Sequence, residues 1–274
     1  MLSLNKSQTY SYIPFIAPWL IGFLCLFLGP LLASFYLSFT NFDGLNNPDW
    51  INFANYKRLI TDPNLLASLK VTFSFAFWNL VLGTSFAICM ALLLKSVNKA
   101  SGIFRSLLYI PTVVPLVASS VTWIWIFKKL HEPSMLSDPK LALPALIIIS
   151  MWSLGNPMII YLAGLQNIPQ ALYEAADIDA ASEWQKFWHI SLPSLSPVIL
   201  FNLVIGIIQV FQYFVPAYVM TSGGPKNSTL FYSLYIYQKA FEDFEMGYAS
   251  ALAWVLFLII LFFTWLAFRL VPRD

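Results

Sequence analysis

The side chains able to do chemistry in this chain are few, and they fall into groups. Glu174, Asp177, Asp179 and Glu183 crowd one short stretch, which suits the binding of a basic protein surface better than acid–base catalysis. Gln209, Gln212 and Tyr213 form a second group inside an apolar run, where amides and a phenol can hydrogen-bond but hold no mobile proton near neutral pH. Cys25 and Cys89 sit in apolar runs without disulfide or metal spacing and read as packing residues. His131 and His189 lie in different loops and make no metal cluster. No GxxxxGK[ST] run occurs, and Gly224-Pro225-Lys226 has the wrong spacing, so the chain cannot cradle nucleotide phosphates itself. No catalytic residue, metal site or cofactor is expected in this chain, and a net charge of +2 suggests no nucleic-acid partner.

The elements that must position these groups are set by composition. Hydrophobic residues make up 59% of the 274 and charged residues only 10%. Crossing a bilayer takes roughly 20 mostly apolar helical residues. Six runs free of Asp, Glu, Lys and Arg exceed that length: 7–42, 71–94, 106–127, 141–173, 187–225 and 246–268. The expected fold is therefore all-α and membrane-embedded, a single domain of six spanning helices near 14–39, 68–94, 103–127, 142–165, 196–220 and 248–269. The first run is too long for a cleavable signal, and Pro14, Pro18 and Pro30 interrupt it. Charge is a poor guide to sidedness: the connection with Lys95, Lys99 and Arg105 reads as cytoplasmic, yet the proposed inner segments hold seven Lys or Arg and the outer ones eight.

The connection 166–197 is unlike a short link. Asn167 is expected to cap a first helix, with Pro169 in its first turn. Ser182 and Gln185 form a capping box ahead of Phe187, Trp188 and Ile190, and Pro193 is expected to end that second helix. The chain should turn at Asp179–Ala181. Such a unit is either a knob for a protein partner or an amphipathic helix lying on lipid; its four acids favour the knob, because an anionic membrane face repels them.

These residues resemble the EAA loop of binding-protein-dependent ABC importer permeases, in particular the sugar-type subfamily of the maltose and glycerol-phosphate permeases. The family pattern is EAA, two residues, DGA, then an apolar residue and LP. Here it reads Glu174-Ala175-Ala176, Asp179-Ala180-Ala181, Phe187, Ile190 and Leu192-Pro193. Gly223-Gly224-Pro225, Phe241, Phe244 and Gly247-Tyr248-Ala249-Ser250 look like further signatures of the subfamily. One position departs, Ala180 in place of glycine: a positive φ there costs alanine about 1 kcal/mol, so the turn is expected either to use ordinary angles or to alter the docking geometry.

The resemblance implies a permease subunit that works with a second, homologous permease as a heterodimer, two cytosolic ATPase subunits that bind ATP and Mg, and an extracytoplasmic solute-binding protein. It places the chain in a bacterial or archaeal plasma membrane with the loop and both termini cytoplasmic, and makes Tyr173 to Ala181 the coupling helix: Tyr173, Glu174, Ala175, Ala176, Asp179, Ala180 and Ala181. The substrate path is expected at Ser153, Asn156, Gln209, Gln212, Tyr213 and Phe214. Amides match sugar hydroxyls, and rings pack on sugar faces. Residues 209, 212, 213 and 216 would share one helix face. Each of these polar groups could equally be interhelical glue. Carbohydrate is the expected substrate, neutral first, with glycerol phosphate or an acidic sugar as alternatives. The rival is an ATP-independent secondary transporter, whose marks would be intramembrane ionisable residues, inverted repeats and broken helices; none of these is legible in the sequence.

Overall fold

A computed structural model describes residues 13–96, 101–130 and 134–271; Lys99 and His131 lie outside them. Among the described residues the chain is helical, with one isolated β-bridge between Thr40 and Trp50. In order come α1 (Ile13–Gly22), a π segment (Phe23–Leu28), α2 (Gly29–Leu37), α3 (Ala54–Thr61), α4 (Pro63–Ser96), α5 (Ser101–Val113), α6 (Leu116–Leu130), α7 (Ala142–Trp152) and α8 (Gly155–Gln166). Then follow α9 (Gln170–Ile178), α10 (Glu183–Lys186), a π segment (Phe187–Ser191), α11 (Leu192–Ser194), α12 (Ser196–Phe211), α13 (Val215–Thr221), α14 (Tyr232–Tyr237), a π segment (Gln238–Glu242) and α15 (Met246–Leu270).

Phe15–Leu37, Pro63–Ser96, Ser196–Thr221 and Met246–Leu270 are each long and apolar enough to cross a bilayer. Two further helix pairs are long and apolar enough only when taken together, and both are bent: Gly102–Val113 meets Leu116–Leu130 at 96°, and Ala142–Trp152 meets Gly155–Gln166 at 48°. The expected straight spans 103–127 and 142–165 are thus corrected to broken ones. In the first, Pro115 disfavours helical angles at Val114.

Prolines act differently elsewhere. Pro30 was expected to interrupt its run, yet the helix continues through it; Pro193 was expected to end the second loop helix, which runs one residue past it to Ser194 before a turn at Leu195. Each lies two residues beyond a π segment, where the N–H of Gly29 donates to the carbonyl of Leu24 and that of Leu192 to Phe187. The wider turn makes room for a proline ring that would otherwise strike the carbonyl four residues back. Asn167 is not an N-cap; it closes α8, and α9 starts behind Pro169 with no side-chain cap. The Ser182–Gln185 capping box forms with both of its hydrogen bonds.

The chain divides into two compact units, Met1–Thr61 with Ile236–Val255 and Asp62–Tyr235 with Leu256–Asp274. In the first, Asn55 donates to the Ser38 and Thr40 carbonyls at 2.9 and 2.8 Å, and Phe35 packs edge-on against Trp254. Arg58 binds Glu245 through both guanidinium nitrogens, and Lys239 reaches Asp243 and Glu245. Gly247 N–H donates to the Phe42 carbonyl, and a Cβ at Gly247 would fall on the Thr40 carbonyl oxygen. In the second unit a core of Ala87, Ile88, Ala91 and Leu94 from α4 meets Met158, Tyr161, Leu162 and Leu165 from α8. The alanines let the two backbones approach closely. The two cysteines are free and exposed, Cys25 in the first π segment and Cys89 on α4, so neither packs inside the chain.

At the end of α9 the N–H of Ala180 donates to the Asp177 carbonyl and that of Ala181 to Ala176, the paired bonds of a Schellman turn. This motif needs a left-handed residue, and Ala180 supplies it at φ +54°. The turn does not use ordinary angles: the geometry suited to glycine is kept, and alanine bears the strain.

Ala180→Gly should therefore raise stability by about 1 kcal/mol, or about 3 °C in thermal midpoint. Ala180→Val, β-branched in the same conformation, should lower it; a thermal melt of the purified variants decides. In the first unit, burial raises the Glu245 carboxyl, but bonds from Arg58 and Lys239 outweigh it and hold it below its ordinary value of 4.5. A lowered carboxylate stabilises above that ordinary value and loses its contribution as pH falls through its folded value. The protection of the Gly247 amide against hydrogen exchange should thus fall as pH drops below 4.5, and Glu245→Gln should remove that pH dependence.

Candidate functional site

Two sites emerge in the second unit, a cavity and a projecting loop. The cavity has a volume of about 850 Å³ and is lined by parts of α4, α5, α6, α7, α8, α12 and α13. Its polar wall gathers where helices break. Ser153 closes α7 at the bend before α8. Gln212, Tyr213 and Phe214 form the gap between α12 and α13, where Pro216, in the first turn of α13, has no N–H to give the ladder. The shared helix face expected for 209, 212, 213 and 216 is thus corrected: the helix stops at Phe211, and the break itself brings these residues to the cavity.

Two backbone groups at the breaks find side-chain partners elsewhere in the unit. Ser233 donates to the Tyr213 carbonyl at 2.7 Å. Gly155 N–H donates to Thr112 Oγ1 at 3.1 Å, an approach so tight that a Cβ on Gly155 would lie 2.5 Å from that oxygen. Irregular backbone at membrane depth is tolerated where it lines a cavity in this way.

The structure brings Ser153, Asn156, Gln209, Gln212, Tyr213 and Phe214 onto this one cavity. Among the described residues, the amides of Asn156, Gln209 and Gln212 hydrogen-bond no other side chain or backbone group, so they do not glue helices within this chain. Tyr213 packs its ring on Phe75 and Phe231, at 4.4 and 5.0 Å between centroids. Its buried hydroxyl has no hydrogen-bond partner among the described residues. Among the described residues, no Asp, Glu, Lys, Arg or His lines the cavity. Asn79 and Asn202 also line it, though sequence reasoning missed them. Their signal was available, since both are polar residues inside charge-free runs. Asn79 donates to Ser150 at 2.6 Å, and Asn202 to the Val198 carbonyl, so both are partly engaged.

The loop is built from α9, the Ala180 turn and α10. Lys186, whose side chain is 11% exposed, ties the two helices by reaching Asp177 and Glu183. Those bonds, Asp177's first, raise the Lys186 ammonium above its ordinary range. Glu174, Ala175, Asp179 and Ala180 are exposed, as are the apolar Ile178 at 87% and Trp184 at 68%, while Ala176 and Ala181 are half-buried. An acidic surface with uncovered apolar side chains is equipped to meet another protein. Tyr173 differs: it is half-buried and turns toward its own bundle, bonding Ser191 Oγ at 2.9 Å.

Comparison with known proteins agrees with this architecture. Residues 63–273 match the family model described as binding-protein-dependent transport system inner membrane component. The chain is 40% identical to the probable ABC transporter permease protein YesP of Bacillus subtilis (strain 168), over 97% of this chain and 92% of that one. It is 32% identical to the arabinooligosaccharides transport system permease protein AraP of the same organism, over 93% and 87%. A chain from the crystal structure of a bacterial ABC transporter involved in the import of the acidic polysaccharide alginate superposes with a TM-score of 0.81, covering 97% of this chain and 98% of that one at 22% identity, which establishes a shared fold. A membrane-embedded helical chain whose breaks open onto one cavity, matching the family model and these permeases over most of its length, belongs to the family of binding-protein-dependent transport system inner membrane components.

Proposed function

We propose that this chain is one transmembrane half of an ATP-driven importer of carbohydrate, and that the cavity at the helix breaks is its half of the substrate path. The observation that carries the reading is the wall itself. Uncommitted amides at Asn156, Gln209 and Gln212 can both donate to and accept from hydroxyls. Tyr213 and Phe214 offer rings for the apolar faces of sugars. Relatives named for arabinooligosaccharide and for trehalose and maltose transport support the substrate class.

The second half of the path comes from a homologous permease, solute is delivered by a binding protein, and energy comes from two ATPase subunits that hold ATP and Mg. A solved structure of the alginate transporter in complex with a pentasaccharide-bound periplasmic protein supports the delivery step by analogy of fold. Coupling runs through α9 and its turn: Tyr173, Glu174, Ala175, Ala176, Asp179, Ala180 and Ala181. ATP-driven closure of the ATPases displaces this helix, and the permease pair switches which side its cavity faces. The reading puts the loop and both chain ends in the cytoplasm. The proximity of Lys95 to Tyr173, which sets the end of α4 beside the loop, supports a common side for both. Neutral sugar is the first expectation, since the wall has no charge of its own; an acidic sugar or glycerol phosphate would draw its cation from the partner permease.

A tagged pull-down from native membrane in mild detergent should recover a homologous permease and an ATPase; the chain alone, active in uptake without ATP, would establish a secondary transporter instead. Glu174→Lys should insert normally yet lose most of the co-purifying ATPase, and undiminished recovery would refute docking at α9. Gln212→Ala should cut uptake about fivefold, as one lost hydrogen bond of about 1 kcal/mol implies. Unchanged uptake and unchanged substrate-stimulated hydrolysis would make Gln212 structural.

A further inference from the structure

One residue of the loop motif faces away from the surface a partner would meet. The Lys95 ammonium, in the last turn of α4, stands 4.3 Å over the centre of the Tyr173 ring and donates to its hydroxyl at 3.3 Å. The same hydroxyl shares a 2.9 Å hydrogen bond with Ser191 Oγ in the π segment that follows α10. A single phenol therefore joins both arms of the projecting loop to the end of α4. The cation on the ring face and the bond to the oxygen restrain the same ammonium, so the contact has direction as well as attraction.

Beyond this junction α4 has little freedom to move alone. Ala87 and Ala91 are fully buried against α8, and packing of that density passes displacement on rather than absorbing it. Two turns further, the same helix presents Asn79 and Gly83 to the cavity. A rigid element thus runs from Tyr173 to the wall of the proposed substrate path.

We propose that Lys95 and Tyr173 form the joint that passes movement of α9 to α4 and so to the cavity, which makes them positioning residues for transport; this rests on the coupling role assigned to α9 above. A contact that merely anchored α9 would govern how much importer assembles. A joint governs how much solute crosses per ATP.

The test is the whole importer in proteoliposomes, with uptake and ATP hydrolysis measured on the same preparation. Tyr173→Phe keeps the ring and removes both bonds of the hydroxyl, while Lys95→Met keeps the aliphatic stem and removes the charge. Each should leave the ATPase bound and hydrolysing but lower uptake per ATP about fivefold or more. The double variant should lose no more than the worse single one, because both break the same contact. Lys95→Arg should restore the ratio, since a guanidinium also sits over a ring and donates. If Tyr173→Phe fails to assemble, Lys95→Met and Lys95→Arg still carry the test. Uptake and hydrolysis falling in proportion, an unchanged ratio, or losses that multiply in the double variant would each overturn the joint while leaving the importer reading in place. Wild-type uptake without ATP would overturn the importer reading itself.

Discussion

Inside a bilayer no water is at hand to solvate a peptide group, so every N–H and C=O must find its partner in the protein. That constraint makes long helices the default here and gives each departure from them a meaning. The breaks at Val114, at Ser153 and Leu154, and at 212–214 all adjoin one cavity in the second unit, and two of them are repaired by side chains from elsewhere, Thr112 and Ser233. Polar side chains follow the same logic. Gln212 and Asn156 stay uncommitted because they stand at a cavity rather than against lipid, where an unpaired amide would cost several kcal/mol.

Proline shows how one residue serves opposite ends under this rule. Where a π turn precedes it, the ring is accommodated: the helix carries on past Pro30, and runs one residue past Pro193. At Pro115 and Pro216, by contrast, a helix break adjoins the proline. Broken helices were offered as a mark of secondary transporters, and their presence here removes that distinction. Family membership, not unbroken helices, separates the two readings.

The loop obeys another economy. It projects from the helices, so water solvates its acids and its apolar residues have no cover of their own. Its inner side is fastened twice, by Lys186 to Asp177 and Glu183, and by Tyr173 to Ser191 and Lys95. A knob held this firmly can transmit a push. The strained Ala180 closes the same Schellman turn glycine would close, which shows the hydrogen bonds of that turn outweighing the backbone preference of one residue.

Much of this was legible in the residues alone. Charge-free runs located the crossings because desolvating a charge in hydrocarbon is so costly that its absence is a reliable mark. The Ser182–Gln185 box and the turn at Asp179–Ala181 followed from local hydrogen bonding, which depends on near neighbours only. The family pattern at Glu174–Pro193 pointed to the permease class for the same reason: it is one continuous stretch. What only the tertiary structure decided were matters of long-range packing: that Asn167 closes one helix instead of opening the next, that Tyr173 turns inward, and that Asn79 from α4 and Gln212 from the α12–α13 gap share one wall. Those residues lie more than a hundred positions apart, and no local periodicity reports whether two distant helices meet; that is settled by which surfaces fit once every backbone group has found a partner.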